Sequence, residues 1–166
     1  MSEHRATIRW QQASGSEFLK GRYSREHTWS FDGGVTVPAS SSPAAVRPPF
    51  SNPANVDPEE AFVAAISSCH MLTFVWLAYR AGLDVVAYED EAVGQMTPNE
   101  HKVPWVSAVT LNPKITWGTT GPPDAASLER LHHEAHEQCF IAQSVKTAIN
   151  VAGVAAIHQD GPGESR

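Results

Sequence analysis

The chain has 166 residues, 42% of them hydrophobic and 18% charged, enough for one ordinary domain over 1–166 with a sizeable core and unlike a disordered or repetitive chain. Its formal net charge of −6, with Lys and Arg scattered singly, leaves no basic footprint for nucleic acid or an acidic membrane, so a neutral or small substrate is expected. The N-terminal MSEHRATIRWQQ lacks both the apolar run and the small-residue cleavage site of a secretory signal, and a cytoplasmic location is expected.

Thr7 to Trp10 and Thr28 to Phe31 alternate in the manner of strands, and Asp32-Gly33-Gly34 before Val35-Thr36-Val37 reads as a hairpin turn into a third strand. Ser40 to Val56 is rich in Ser, Pro and Asn, with prolines at 43, 48, 49 and 53, and is predicted to be a long loop of the kind that often carries function. A helix begins with Asp57 as N-cap, Pro58 at the first helical position and Glu60 completing a capping box; it runs through Tyr79, with Gly82 as its stop. Ala61 to Tyr79 holds no formal charge and is apolar on both faces, so the helix is buried on all sides or crosses a membrane. Its short length and Ser67, Ser68, His70 and Thr73 favour burial in a core.

Val85 to Met96 and Pro104 to Trp117 read as two further strands paired as a hairpin or meander, the second bent near Asn112-Pro113. Asp124 to Gln138 is helical, with Leu128, Leu131, Ala135 and Cys139 along one face, and a short helix or turn holds Ser144 to Ala148. Val151 to Ile157 is predicted as a closing strand and Gly161 to Arg166 as a flexible tail. The order of elements makes an α+β domain of antiparallel sheets and two helices.

Two cysteines far apart in a cytoplasmic chain are reactive or simply buried more often than they form a permanent staple. Cys69 lies midway along the apolar helix, where the plain reading is a small buried hydrophobe. Glu59, near the start of that helix, either complements the helix dipole or reaches an arginine. Cys139 lies on the inward face of the second helix, but a disulfide needs Cα atoms within about 7 Å, which spacing alone does not establish.

Asp57-Pro58-Glu59, then small residues, then Cys69 resembles the helix-start pattern of the OsmC/Ohr family. Tyr23 to Gly34 and His132-His133-Glu134-Ala135-His136-Glu137-Gln138-Cys139 resemble an OsmC-like branch of it, so that the likeness covers nearly the whole chain. The resemblance implies an intertwined homodimer and a thiol-dependent peroxidase that reduces organic hydroperoxides in oxidative or osmotic stress defence. It assigns the attacking sulfur to Cys69, the resolving sulfur to Cys139, the active-site arginine to Arg25 in preference to Arg22, and its orienting carboxylate to Glu59. It further implies no bound cofactor and an external dithiol reductant, dihydrolipoamide, free or on a lipoylated protein. Where the family tends to carry Asn-Pro-Glu and Cys-Pro, this chain has Asp57-Pro58-Glu59 and Cys139-Phe140.

An ordinary thiol is mostly protonated at neutral pH, so the nucleophile needs a cation, a role that falls to Arg25 held by Glu59 through charge-assisted bonds. Phe62, Phe74 and Trp76 are candidate walls of an apolar substrate pocket, with core packing as their plain alternative. His132 and His136 form an i, i+4 pair near His133 and Cys139, but no second motif completes a metal site, and no metal is expected. His70 points about 100° away from Cys69 and reads as a core or interface histidine. The alternative function is a non-catalytic small-molecule-binding or redox-sensing protein on the same fold.

Overall fold

Short runs of alternating residues broken by turn formers give the first part of the chain three antiparallel strands, β1 (Ala6–Arg9), β2 (His27–Phe31) and β3 (Thr36–Ala39), in the order β1-β2-β3. Ala6 faces Phe31 across the first pair and Ser30 faces Thr36 across the second. The hairpin turn closes where expected, with Phe31 N–H donating to Val35 O at 2.9 Å; Val35 thereby belongs to the turn rather than to β3. The structure, a computed structural model, describes residues 2–154, and the chain falls into two compact units, Met1–Ala61 and Phe62–Arg166.

Within the first unit the loop after β3 has no regular structure, as its prolines predict, yet it is tied down by hydrogen bonds. Arg25 N–H donates to Phe50 O at 2.9 Å, Asn52 N–H to Ser40 Oγ at 3.0 Å and the Asn52 amide to Glu26 at 2.9 Å. The loop ends in the expected capping box: Glu60 N–H donates to Asp57 Oδ1 at 2.8 Å and Asp57 N–H to Glu60 Oε2 at 3.0 Å.

The helix so started, α1 (Pro58–Arg80), stops in a Schellman motif: Gly82 adopts φ 74°, its N–H meets Tyr79 O, and Leu83 N–H meets Ala78 O at 2.9 Å. In the second unit α1 packs with α2 (Ala125–Gln138), whose N-cap Asp124 accepts from Ser127 N–H. The expected hairpin is present, but both of its strands break at one level. They become β4 (Val85–Asp90) and β5 (Val93–Pro98), and β6 (Pro104–Leu111) and β7 (Pro113–Trp117), with β4 paired to β7 and β5 to β6. Asp90 pins the break, since Oδ1 accepts from Asn112 N–H at 2.6 Å while Oδ2 takes a short hydrogen bond from Ser67 of α1. Pro113 has no N–H with which to continue the ladder. At Gly94 a Cβ would lie 2.5 Å from Val63 Cγ2, so glycine lets β5 lie close against α1.

The chain end departs from the sequence reading. Ala142–Ser144 form a 3-10 turn and Ala148 already begins strand β8 (Ala148–Val151), which joins β6 in parallel rather than antiparallel fashion, Ala108 facing Ala148. Ile149 and Val151 point inward, and residues 155–157 of the expected strand and the 161–166 tail lie outside the described residues.

Burial of α1 on all sides is also corrected. Ile66, His70, Phe74, Leu77 and Ala78 form a buried face, but opposite them Leu72 is 63% exposed, Trp76 46% and Tyr79 75%. One chain supplies core for only half of this helix.

Candidate active site

The two cysteines meet in the second unit. Cys69 sits midway along α1 and Cys139 is the C-cap of α2, where the backbone turns extended and the chain doubles back into the 3-10 turn. That reversal aims two successive amides at the two sulfurs: Ile141 N–H lies 3.5 Å from Cys69 Sγ and Ala142 N–H 3.4 Å from Cys139 Sγ. Both thiols are free.

Their surroundings differ. Cys139 is 1% exposed among Ile66, Val109, Leu111 and Ile149, while Cys69 is half-buried at the edge of the same cluster. Burial, and next the hydrogen bond with the Cys69 thiol, push the Cys139 thiol up to about 11. A thiol held protonated in an apolar site attacks slowly, so the sulfur that solvent reaches is the better nucleophile of the pair.

Arg25 lies in the first unit, just before β2. Its backbone is fixed on both sides, N–H on Phe50 O and C=O accepting from His27 Nδ1 at 2.8 Å, while His27 Nε2 accepts from Trp29 Nε1 at 2.9 Å. The guanidinium lies 3.7 Å over the Tyr23 ring and donates through Nη1 to Gly21 O at 3.3 Å and Tyr23 O at 2.5 Å. Arg22, the other candidate, is instead paired with Glu17 at 3.0 Å. Arg25 has no carboxylate partner among the described residues, and the expected Arg25–Glu59 bonds are not formed: Glu59 stands on the first turn of α1 while the guanidinium is turned onto its own loop. Beside Arg25 opens a cup of about 500 Å³ walled by Ile8, Trp10, Phe18, Tyr23 and Pro58.

Of the three residues read as pocket walls, Phe74 is fully buried against Tyr88, Trp117 and His132, which corrects its assignment. Phe62 packs against the cluster around Cys139. Trp76 does line a groove of about 560 Å³, together with Leu72, Thr73 and Phe140. The sequence reading passed over Leu72 and Phe140; their signal was proximity to the cysteines, three residues after Cys69 and one after Cys139.

The histidines weighed as metal ligands lie partly inside the protein. His132 and His136 are buried, and His132 Nδ1 faces His70 Nε2 at 3.0 Å; His133 is exposed, 3.2 Å from Glu137.

With this geometry in view, residues 51–152 match the OsmC-like protein family. The chain belongs to the OsmC-like family. It is 47% identical to an OsmC-like protein of unknown function from Vibrio cholerae, over 91% of this chain and 98% of that one, with a TM-score of 0.88. An organic hydroperoxide resistance protein OsmC from Legionella pneumophila is 14% identical over 91% and 94% of the two chains, with a TM-score of 0.65. The organic hydroperoxide resistance protein OhrB of Bacillus subtilis is 18% identical over 90% and 95%, with a TM-score of 0.61. These last two share the OsmC-like fold, and at such identity the likeness extends to the fold alone. No curated protein matches the chain.

Proposed function

We propose that this OsmC-like protein is a cysteine-dependent peroxidase that reduces organic hydroperoxides to alcohols in oxidative or osmotic stress defence. The observation that carries the reading is the thiol pair: two free sulfurs on the successive amides of Ile141 and Ala142, one half-buried and one enclosed. The names of the Legionella and Bacillus proteins of the same fold point to the same substrate class.

In this mechanism the Cys69 thiolate attacks the outer peroxide oxygen, the O–O bond breaks, and the alkoxide takes a proton to leave as alcohol, with Cys69 left as sulfenic acid. The Cys139 thiol then displaces water from that sulfur, forming a Cys69–Cys139 disulfide. An external dithiol, dihydrolipoamide or a lipoylated protein, reopens it and is itself oxidised to the cyclic disulfide. In this reading Arg25 is the cation of the chemistry, and Glu59, which forms no bond to it here, takes up its orienting role once the guanidinium leaves the carbonyls of Gly21 and Tyr23. The groove of Leu72, Trp76 and Phe140 suits an apolar organic group. The bare face of α1 supports a homodimer, because an exposed stripe of large apolar side chains marks a protein interface.

Steady-state reduction of cumene hydroperoxide with dihydrolipoamide as the electron donor tests the reading. Alcohol formed at many turnovers per chain supports it; no turnover in chain shown to hold both thiols reduced ends it.

A further inference from the structure

Three imidazoles lie in the core of the second unit and the peroxidase chemistry uses none of them: His70 is 1% exposed, His132 2% and His136 5%. The ring of His70 lies parallel to that of His132, interplanar angle 6°, and His132 stacks on Phe74 with centroids 4.4 Å apart. Two of the three leave a buried ring nitrogen without a partner among the described residues, Nδ1 of His70 and Nδ1 of His136. Apolar rings of similar size would fill this space without that desolvation cost, so packing alone does not account for imidazole here.

What imidazole adds is direction. The hydrogen bond of 3.0 Å between His70 Nε2 and His132 Nδ1 is, among the described residues, the only side-chain hydrogen bond between α1 and α2 apart from the thiol contact of Cys69 with the C-cap Cys139. Burial holds His70 down at about 3 and His132 at about 4, so both rings are neutral and one donates to the lone pair of the other. The bond sits inside a closed circuit through the active site: His70 follows Cys69 directly in α1, His132 lies one turn before His136 in α2, and His136 O accepts from Cys139 N–H at 3.3 Å. Apolar contacts let a helix slide or turn by small amounts, whereas a hydrogen bond in a dry core has one good geometry. Disulfide formation is sensitive to such turns, because it requires close Cα atoms and converging Cβ vectors.

We propose that His70 and His132 are positioning residues for the redox step: their bond sets the rotation of the Cys69 helix against the Cys139 helix, so that oxidised Cys69 meets the Cys139 thiol before it meets a second peroxide. The inference rests on the peroxidase reading. Two fates compete for the Cys69 sulfenic acid. Attack by the Cys139 thiol releases water and gives the disulfide; reaction with a second hydroperoxide transfers an oxygen to sulfur, releases alcohol and gives the sulfinic acid, which ordinary thiols do not reduce.

The test is the ratio of Cys69 sulfinic acid to Cys69–Cys139 disulfide, read by peptide mass spectrometry after graded cumene hydroperoxide. His132→Phe keeps a ring on Phe74 and removes the bond; it is expected to raise the ratio about tenfold to a hundredfold, the scale on which small misplacements of reacting groups slow a reaction. His132→Asn, whose amide reaches the place of Nδ1, is expected to bring the ratio back towards wild type. His70→Met gives the same reading as His132→Phe if the latter chain does not fold. Ile115→Ala, which weakens the core at β7, is the control for stability alone. The inference is overturned if the bond-breaking variants partition as wild type, or if Ile115→Ala raises the ratio as much as they do. Failure of the peroxidase reading is distinct, since wild type itself then forms no bridge.

Discussion

The two units of the chain treat their polar groups in opposite ways. In the second, polar groups are drawn into the core: Cys139 is 1% exposed, His70 and His132 bond to each other, and both sulfurs rest on neighbouring amides, with Cys69 alone half-buried. In the first, the group of most chemical interest is half-buried on its own loop: the Arg25 guanidinium lies on the Tyr23 ring and bonds the carbonyls of Gly21 and Tyr23 beside an open aromatic cup, with its backbone fixed and no carboxylate partner among the described residues. One unit builds a thiol pair from its own core, while the other fixes an arginine against the carbonyls and the Tyr23 ring of its own loop.

The sharpest way to break that contrast is to remove one sulfur at a time. Cys69→Ser is expected to abolish peroxide-dependent thiol loss, leaving Cys139 reduced, because the enclosed thiol is both inaccessible and held protonated. Cys139→Ser is expected to react once and stop, accumulating oxidised Cys69, as quantified by sulfenic-acid trapping. Next in size is Arg25→Lys, which keeps the charge but loses the planar fork and the stack on Tyr23. A fall in kcat/KM of about a hundredfold is expected on the scale of lost electrostatic stabilisation, with little change in Tm, whereas Arg22→Lys, at a surface ion pair, should stay near wild type. Equal loss in the two variants would assign the chemistry away from Arg25.

The capping box, the Schellman stop and the hairpin turn were legible in the sequence because each is a local contract between residues a few positions apart: Asp57 with Glu60, Tyr79 with Gly82, Phe31 with Val35. The parallel pairing of β8 with β6 was not, since alternating apolar residues such as Ile149 and Val151 carry no sign of the partner's direction. Nor was the half-bare α1. A helix apolar all round looks the same whether one chain or two cover it, and only the exposure of Leu72 and Tyr79 shows that this chain covers one face. At the site, motif resemblance picked out Cys69 and Cys139, but the turn of residues 139–142 that joins them has no signature. The conversion of His132 from candidate metal ligand to partner of His70 depended on which face of α2 meets α1.

That bare face gives the next expectation. Leu72→Asp and Tyr79→Asp, at positions 63% and 75% exposed in one chain, are expected to shift the protein from dimer to monomer in light scattering while its circular dichroism is kept. An unchanged mass of one chain for the wild type would remove the homodimer from the proposal.

The smallest expected effects are those of pH. His70 and His132 are held at about 3 and about 4, below their ordinary 6.5. Above pH 6.5 both folded and unfolded rings are neutral and nothing changes. As the pH falls further, the unfolded chain takes up protons that the folded rings refuse, so stability is lost progressively between 6.5 and about 3, the His132 share ending at about 4. Urea midpoints against pH check this, and His132→Phe should flatten the profile. Towards alkali, with Cys139 raised to about 11, the rate of bridge closure after a peroxide pulse should climb with pH up to that value.

Whether Cys69 and Cys139 form one redox couple is decided by counting thiols. Fully reduced wild type is given one equivalent of cumene hydroperoxide per chain, free thiols are titrated, and the cysteine peptides are mapped. Both thiols are expected to be lost to a single peptide pair joining Cys69 and Cys139, and to return on addition of dihydrolipoamide. Two thiols still free after the peroxide would contradict this couple and leave ligand binding as the function of this fold.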